Sequence, residues 1–285
     1  MENNPPINIS KSSMVGNCDE KCAYSFKYQI SPTCKAKNYK TYISLSYDNS
    51  GLPPAIFNNF SYNVSNIELY SPSIHTFNNN YLDAEIIINH TSNSTGSPLM
   101  ICIPISVNGV ATTGSQIITD IITAVSSYPL HYKDPEISIN VNNYNLDDII
   151  PKDPYFYYVG KSSNANIVVF NGGSAISVSQ SAITNLKSII SESIHTVAPG
   201  VDNSLFYNAV GPASSNSLND GIYIDCKPTG DSEETTDVSF TKPNPSYYDL
   251  GSYVNSDFLT IIIASVGFIA LLYIINKLLI YMTNL

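Results

Sequence analysis

The 285-residue chain contains no tryptophan, and all 13 of its basic residues are lysine, so it has no arginine. Arginine forks are the usual readers of phosphate and guanine, and their absence beside a net charge of −10 excludes a nucleic-acid partner. Sulfated sugars would need the few lysines to gather. The single candidate patch is Lys27, Lys35, Lys37 and Lys40, which read equally as a solvated loop. Cysteine is sparse and odd in number, at Cys18, Cys22, Cys34, Cys102 and Cys226, which is no disulfide framework. Cys18 and Cys22 could open a zinc site, but no histidine or second cysteine pair follows at ligand spacing. They are left as a local disulfide or free thiols. The opening MENNPPINIS has neither a basic nor an apolar stretch, so no signal peptide is expected.

What is present is a hydrophobic content of 43%, enough to bury a sizeable core and to exclude global disorder. Usage rich in Asn, Ile, Tyr and Ser hints at an AT-rich genome. Five N-x-S/T sequons, at Asn8, Asn59, Asn63, Asn89 and Asn93, matter only if the domain enters a lumen. From Phe258 to Ile275 the sequence FLTIIIASVGFIALLYII is uncharged and almost wholly apolar. At about 1.5 Å per residue it nearly crosses a hydrocarbon core of about 30 Å, and the following NKLLIYM completes the span with Lys277 snorkelling to a headgroup. Residues 257–282 are therefore expected to be a single-pass C-terminal anchor, with 283–285 a short tail. Before them, Lys227 to Ser256 is rich in Pro, Ser, Thr and acid and lacks apolar periodicity, which predicts a tether. The globular domain is expected over 1–226.

That domain reads mainly as strands. YISLSY, FSYNVSNIELY, AEIIINH, LMICIPISV, ISINVNNY and NIVVF are β-branched or aromatic and are separated by Asn, Gly, Pro and Ser clusters. Two windows, GSQIITDIITAVSS and SQSAITNLKSIISES, carry helical spacing. IIIN and NIVVF are apolar on both faces, as in strands at the centre of a sheet.

The stretch Ile67 to His90, IELYSPSIHTFNNNYLDAEIIINH, resembles the signature of the α-class carbonic anhydrases without a gap. Pro72, Ser73, His75, Thr76, Asn78, Glu85 and His90 fall on its characteristic positions, and Tyr81 sits one residue early. Other landmarks follow in order: Pro6 to Ile9, Phe57 to Val64, Leu146 to Pro151, Tyr158 to Ser163, Ile176 to Ser179 and, loosely, Asn208 to Leu218. The resemblance implies a mainly β, α+β fold built on a ten-stranded twisted sheet with a few surface helices.

The family's chemistry needs three imidazoles on zinc, two of them one residue apart so that strand alternation sends both to one face. The resemblance puts Glu68, Tyr70 and Ile87 at those positions. Ile87 has no lone pair, and a lone carboxylate is not a zinc site. The proton-shuttle position falls on Phe60, the hydroxide-orienting hydroxyl on Ser163 and its acidic partner on Ile74. Glu85 falls on the carboxylate behind a metal ligand and is expected to have no imidazole to support. His75 and His90 fall on structural positions, and a zinc site of Glu68, His75 and His90 is disfavoured because His90 and Ile87 differ in strand parity. His131 and His195 match nothing and are expected at the surface. A Glu68–Tyr70 hydrogen bond is expected to satisfy the cleft. The implied reading is a pseudoenzyme with no metal or other cofactor.

A carbonic-anhydrase-like domain of this kind ahead of a membrane helix is similar to envelope proteins of poxviruses that use the scaffold for cell attachment. The resemblance implies a virion membrane protein whose domain faces the cytosol during synthesis and the exterior of the viral membrane afterwards. The expected function is host attachment through a protein or glycan on the cell surface. The alternative is a structural tether joining the membrane to capsid or coat proteins.

Overall fold

Strand alternation decides the layers. In the computed structural model, which describes residues 7–48, 51, 53–94, 96–128, 130–161, 164–191 and 205–214, ten strands cross one twisted sheet. They are β1 (Met14–Asn17), β2 (Cys34–Asn38), β3 (Tyr42–Leu45), β4 (Phe60–Tyr70), β5 (Ala84–Ser92), β6 (Leu99–Ser106), β7 (Ile137–Ile139), β8 (Tyr155–Val159), β9 (Asn166–Phe170) and β10 (Leu205–Asn208). Their order in space is β7-β2-β3-β4-β5-β6-β9-β8-β10-β1. Neighbours are antiparallel except β6 with β9 and β10 with β1. Short strands at Tyr24–Phe26 and Ala55–Phe57 branch from β4.

On β5 and β6, Ala84, Ile86 and Ile88 and the odd-numbered Leu99 to Ile105 face one way. They meet the apolar side of helix α1 (Thr113–Ser127), at Ile117, Ile118, Ile121 and Val125, and Ile183 and Leu186 of helix α3 (Gln180–Ile189). Ile87 and Cys102 face the other way, into a second cluster with Ile7, Ile9, Ile74, Phe77 and Phe156. The central strands are thus buried on both sides, which is why IIIN carries no polar alternation. Each fully buried isoleucine contributes about 1.5–3 kcal/mol. Between α1 and α2 (Leu146–Ile149) the backbones approach closely enough that a Cβ on Gly114 would lie 2.5 Å from the Asp148 carbonyl oxygen.

One irregularity matters for the site. Asn66 pairs with Asn89 but Val64 pairs with His90, so Ser65 is an extra residue on β4. Such a bulge reverses the side-chain parity of the strand beyond it. Asn66, Glu68 and Tyr70 face one side, while Tyr62 and Val64 join the helix-side core. Asparagine takes the place of glycine at the hairpin tips: Asn58, Asn59, Asn78 and Asn79 all have positive φ, a conformation that Asn tolerates better than most residues.

Cys18 and Cys22 form a disulfide, deciding between the alternatives that the sequence left open. Its loop is held by β10 and β8: Asn208 donates to the Asp19 carbonyl at 3.3 Å, and the Tyr155 hydroxyl donates to the Cys22 carbonyl at 2.6 Å. Cys34 and Cys102 are free and buried. Ser163, His195, Cys226, the tether over 227–256 and the anchor over 257–282 lie outside the described residues. Among the described residues no helix is long and apolar enough to cross a membrane. Every described residue belongs to one compact unit, which lies within Met1–Tyr223.

Candidate functional site

Direct pairing sends side chains to a common face, so the register lays out the site. Ser44 of β3 pairs with Glu68 of β4, Glu68 with Ile87 of β5, and Ile87 with Cys102 of β6. One row over, Tyr42 pairs with Tyr70 and Tyr70 with Glu85. The three positions that the resemblance gives to zinc ligands, Glu68, Tyr70 and Ile87, do meet. Their chemistry is not that of a zinc site. The Tyr70 hydroxyl donates to Glu68 Oε2 at 2.9 Å, as expected, and the Asn66 amide donates to Glu68 Oε1 at 3.1 Å. Ile87 is fully buried and offers no donor atom. Zn²⁺ does not fit this set: one carboxylate and one neutral phenol, with isoleucine at the third corner.

Beneath lies a saturated polar network. Glu85, fully buried, accepts from the backbone N–H of Ile74 at 2.8 Å and of His75 at 2.9 Å through Oε2. Its Oε1 lies 2.6 Å from His75 Nδ1, and His75 Nε2 lies 2.8 Å from the Tyr158 hydroxyl. A carboxylate only accepts, so Nδ1 carries a proton. In the neutral imidazole Tyr158 therefore donates to Nε2. This corrects one expectation: Glu85 does support an imidazole, that of His75. The loop after β4 brings that ring back over β5, a contact that strand alternation alone does not reveal. His75, Glu85 and Cys102 place three possible ligand atoms within 4.8 Å of one another. A metal there would have to displace hydrogen bonds that already use His75 and both Glu85 oxygens.

Burial raises the Cys102 thiol pKa, and the charges of Glu85 and then Glu68 raise it further. Burial likewise raises that of the Tyr70 hydroxyl, with the Glu68 charge as the next cause. Tyr42 is shifted the same way and for the same reasons, in the same order. Tyr42 also joins a stack: its ring lies 5.1 Å from Tyr39, nearly coplanar at 7°, and 5.1 Å from Tyr70, tilted by 32°. The stack runs from exposed Tyr39 to buried Tyr70 and ends on Glu68. Nothing in the sequence marks it until the β2–β3 and β3–β4 pairings are known.

Phe60 is not part of this site. It lies eight residues up β4 from Glu68, about 26 Å at about 3.3 Å per residue, and beyond the Ser65 bulge, which turns it to the opposite face. It is 53% exposed beside Phe57 at a hairpin tip. His90 is likewise on the helix side, where its Nε2 accepts from the Tyr28 hydroxyl at 2.7 Å and its Nδ1–H donates to the Ile88 carbonyl at 3.1 Å. His75 and His90 cannot share an ion across the sheet. His131 is exposed, as expected.

The four lysines are dispersed. Lys35 and Lys37 alternate onto one face of β2, but Lys35 is paired with Glu136 at 2.9 Å and the Lys37 ammonium sits 5.1 Å from the Tyr39 ring centroid. Lys40 occupies the β2–β3 turn. Lys27 follows the Tyr24–Phe26 strand, which pairs with Ala55–Phe57 and not with β2. An open groove of about 500 Å³ between the starts of α1 and α3, lined by Ser115, Gln116, Thr119 and Ser179 among others, holds no charged side chain.

No protein-family model matches the sequence, and no curated protein matches it. Solved structures do match. Carbonic anhydrase Cah3 from Chlamydomonas reinhardtii, in complex with acetazolamide, superposes with a TM-score of 0.60 at 16% identity, covering 72% of this chain and 90% of that one. The Photobacterium profundum α-carbonic anhydrase gives 0.57 at 13% identity over 72% and 88%. A hyperthermostable carbonic anhydrase from an active hydrothermal vent chimney gives 0.57 at 17% identity over 72% and 87%. Identities this low speak for the fold alone: the domain has the fold of the α-carbonic anhydrases.

Proposed function

We propose that this chain is a non-catalytic binding module on the α-carbonic anhydrase fold. In this reading it is carried on a viral membrane by the apolar segment over 257–282 and presented for host attachment or receptor binding. One observation carries the loss of catalysis. Glu68 and Tyr70 are hydrogen-bonded to each other where the fold's zinc ligands would stand, and Ile87 is packed beside them with no donor atom. Without a metal there is no activated water. The scaffold's remaining asset is its surface.

The kind of partner follows from charge. With a net charge of −10 over the whole chain and the four candidate lysines dispersed, Lys35 and Lys37 already engaged, the domain favours a protein over a sulfated glycan. The same preference suits the alternative, contact with coat proteins in a particle. Metal analysis of the purified full-length chain tests the first step, with zinc expected far below one equivalent and CO₂ hydration at background. One tightly held zinc per chain would refute it. Heparin chromatography tests the second, with elution expected below about 0.15 M salt, where the Debye length is about 8 Å. Retention at higher salt that is lost when Lys35 and Lys37 become Ala would favour a glycan partner instead.

A further inference from the structure

The replaced site is electrostatically inverted. In an active enzyme of this fold the family's zinc is a fixed positive charge. Here the same sheet face presents a carboxylate, and Glu68 is only partly buried. Both its oxygens accept from neutral groups, the Tyr70 hydroxyl and the Asn66 amide. A carboxylate has about four lone-pair positions, so each oxygen retains one. Among the described residues no cation lies within ion-pair distance of it. Lys37, on the same face two strands away, directs its ammonium to the Tyr39 ring. Burial first, and the Glu68 charge after it, holds the Tyr42 and Tyr70 protons more firmly, while at Cys102 burial and Glu85 come before Glu68.

We propose that Glu68, walled by Tyr42 and Tyr70, receives an arginine side chain of a protein partner. A planar guanidinium presents paired N–H groups to the two free lone pairs of a carboxylate and lies against aromatic rings, which a lysine ammonium does less well. The Tyr42 ring, flanked by Tyr39 and Tyr70 at 5.1 Å each, stands beside Glu68 as one side of such a seat. An anionic ligand would be repelled by Glu68. A hard metal ion would find one carboxylate where it needs six or more oxygens. The arginine must come from another molecule, because this chain has none. The inference rests on the reading that the site holds no zinc and serves binding, and it names the chemistry of that binding.

The test is an NMR titration of the full-length chain in neutral detergent, with ring-labelled tyrosine. The probes are acetyl-Gly-Arg-Gly-amide and its neutral citrulline counterpart. The arginine peptide should shift the Tyr42 and Tyr70 signals saturably, the citrulline peptide should not, and Glu68→Gln should weaken arginine binding about tenfold. The amide oxygen of that variant still accepts from Tyr70, and its NH₂ meets Asn66, whose side-chain amide can turn to present its oxygen, so the local packing is kept. Equal binding of the two peptides, shifts confined to other tyrosines, or an unchanged affinity in Glu68→Gln would each overturn the proposal. Zinc content measured on the same sample separates the two failures. Stoichiometric zinc overturns the functional reading, whereas a zinc-free sample indifferent to arginine overturns only this inference.

Discussion

Replacing Glu85 should destabilise the domain, to a degree that depends on which replacement is made. Glu85→Ala removes the acceptor for three buried donors, the N–H groups of Ile74 and His75 and His75 Nδ1–H. Leaving one buried donor unpaired costs about 1–3 kcal/mol, and partial collapse or entry of water recovers part of that. A net loss of about 3–5 kcal/mol follows, in line with breaking a buried ion pair. For a domain of this size 1 kcal/mol moves Tm by about 2–4 °C, so a fall of about 6–20 °C is expected. Glu85→Gln should cost less, about 1–2 kcal/mol. Its amide oxygen can serve the two backbone donors, and its NH₂ then faces His75 Nδ1, which can accept if the imidazole changes tautomer. Nε2–H would then donate to Tyr158, reversing the bond described above. Calorimetry on both variants gives the energies, and ¹⁵N spectra of His75 report the tautomer. An Ala variant within about 1 kcal/mol of wild type, or a Gln variant whose His75 keeps its proton on Nδ1, would refute the reasoning. Added zinc should leave the wild-type Tm unchanged, since it would have to displace these bonds.

Three further expectations are independent of that network. Burial lowers the pKa of His90 from its ordinary 6.5 to about 4. Between those values the unfolded chain binds the proton and the folded one does not, so stability is flat above pH 6.5 and falls as pH drops towards 4, by about 3 kcal/mol in all. Melting curves from about pH 7.5 to about pH 4 should show this slope, and a His90→Gln variant that keeps the full slope would assign it elsewhere. Gly114→Ala puts a Cβ 2.5 Å from the Asp148 carbonyl oxygen, so despite its better helix propensity it should lower stability by about 1–3 kcal/mol, read from urea midpoints. Deleting residues 257–285 should yield a protein soluble without detergent and with an unchanged Tm, and aggregation or loss of the fold would show that the segment is core and not anchor.

The fold was largely legible because its centre is locally simple. Ile86, Ile87 and Ile88 are buried on two faces and said so in sequence, and both helical windows correspond to α1 and α3. Four strands carry weaker signals: β1 and β2 are short and polar, and β8 and β10 are short aromatic runs that overlap the landmark stretches only at Tyr158–Val159 and Asn208. The site was legible only where strand parity holds. Glu68, Tyr70 and Ile87 lie between the bulge and the strand end and meet as expected. Phe60 lies beyond the bulge, and a single extra residue at Ser65 sent it to the wrong face. Glu85 reads as an orphan in sequence because its partner arrives from a loop rather than a neighbouring strand. The lysines were grouped by their closeness in sequence. That reading fails because Lys27 belongs to a branch of the sheet and Lys35 is held by Glu136, 101 residues away.

The side chains at the site depend on one another. Ile87 suits its position because its row continues through Cys102, Val169 and Phe156, all buried and apolar or weakly polar. An imidazole there would sit in that cluster between Glu68, which already accepts from Tyr70 and Asn66, and Glu85, which is committed to His75. Glu68 in turn is tolerable because Tyr70 and Asn66 hydrogen-bond it and part of it reaches solvent. An imidazole in place of Glu68 would take from the buried Tyr70 hydroxyl the charged acceptor it now has. A single imidazole at either position would disturb hydrogen bonds already in place, whereas the mouth of the site can change without touching the Glu85–His75 pair beneath it. Stability thus rests on the fully buried Glu85 and His75 below, whereas Glu68 and Tyr42 above them reach solvent and can change at less cost.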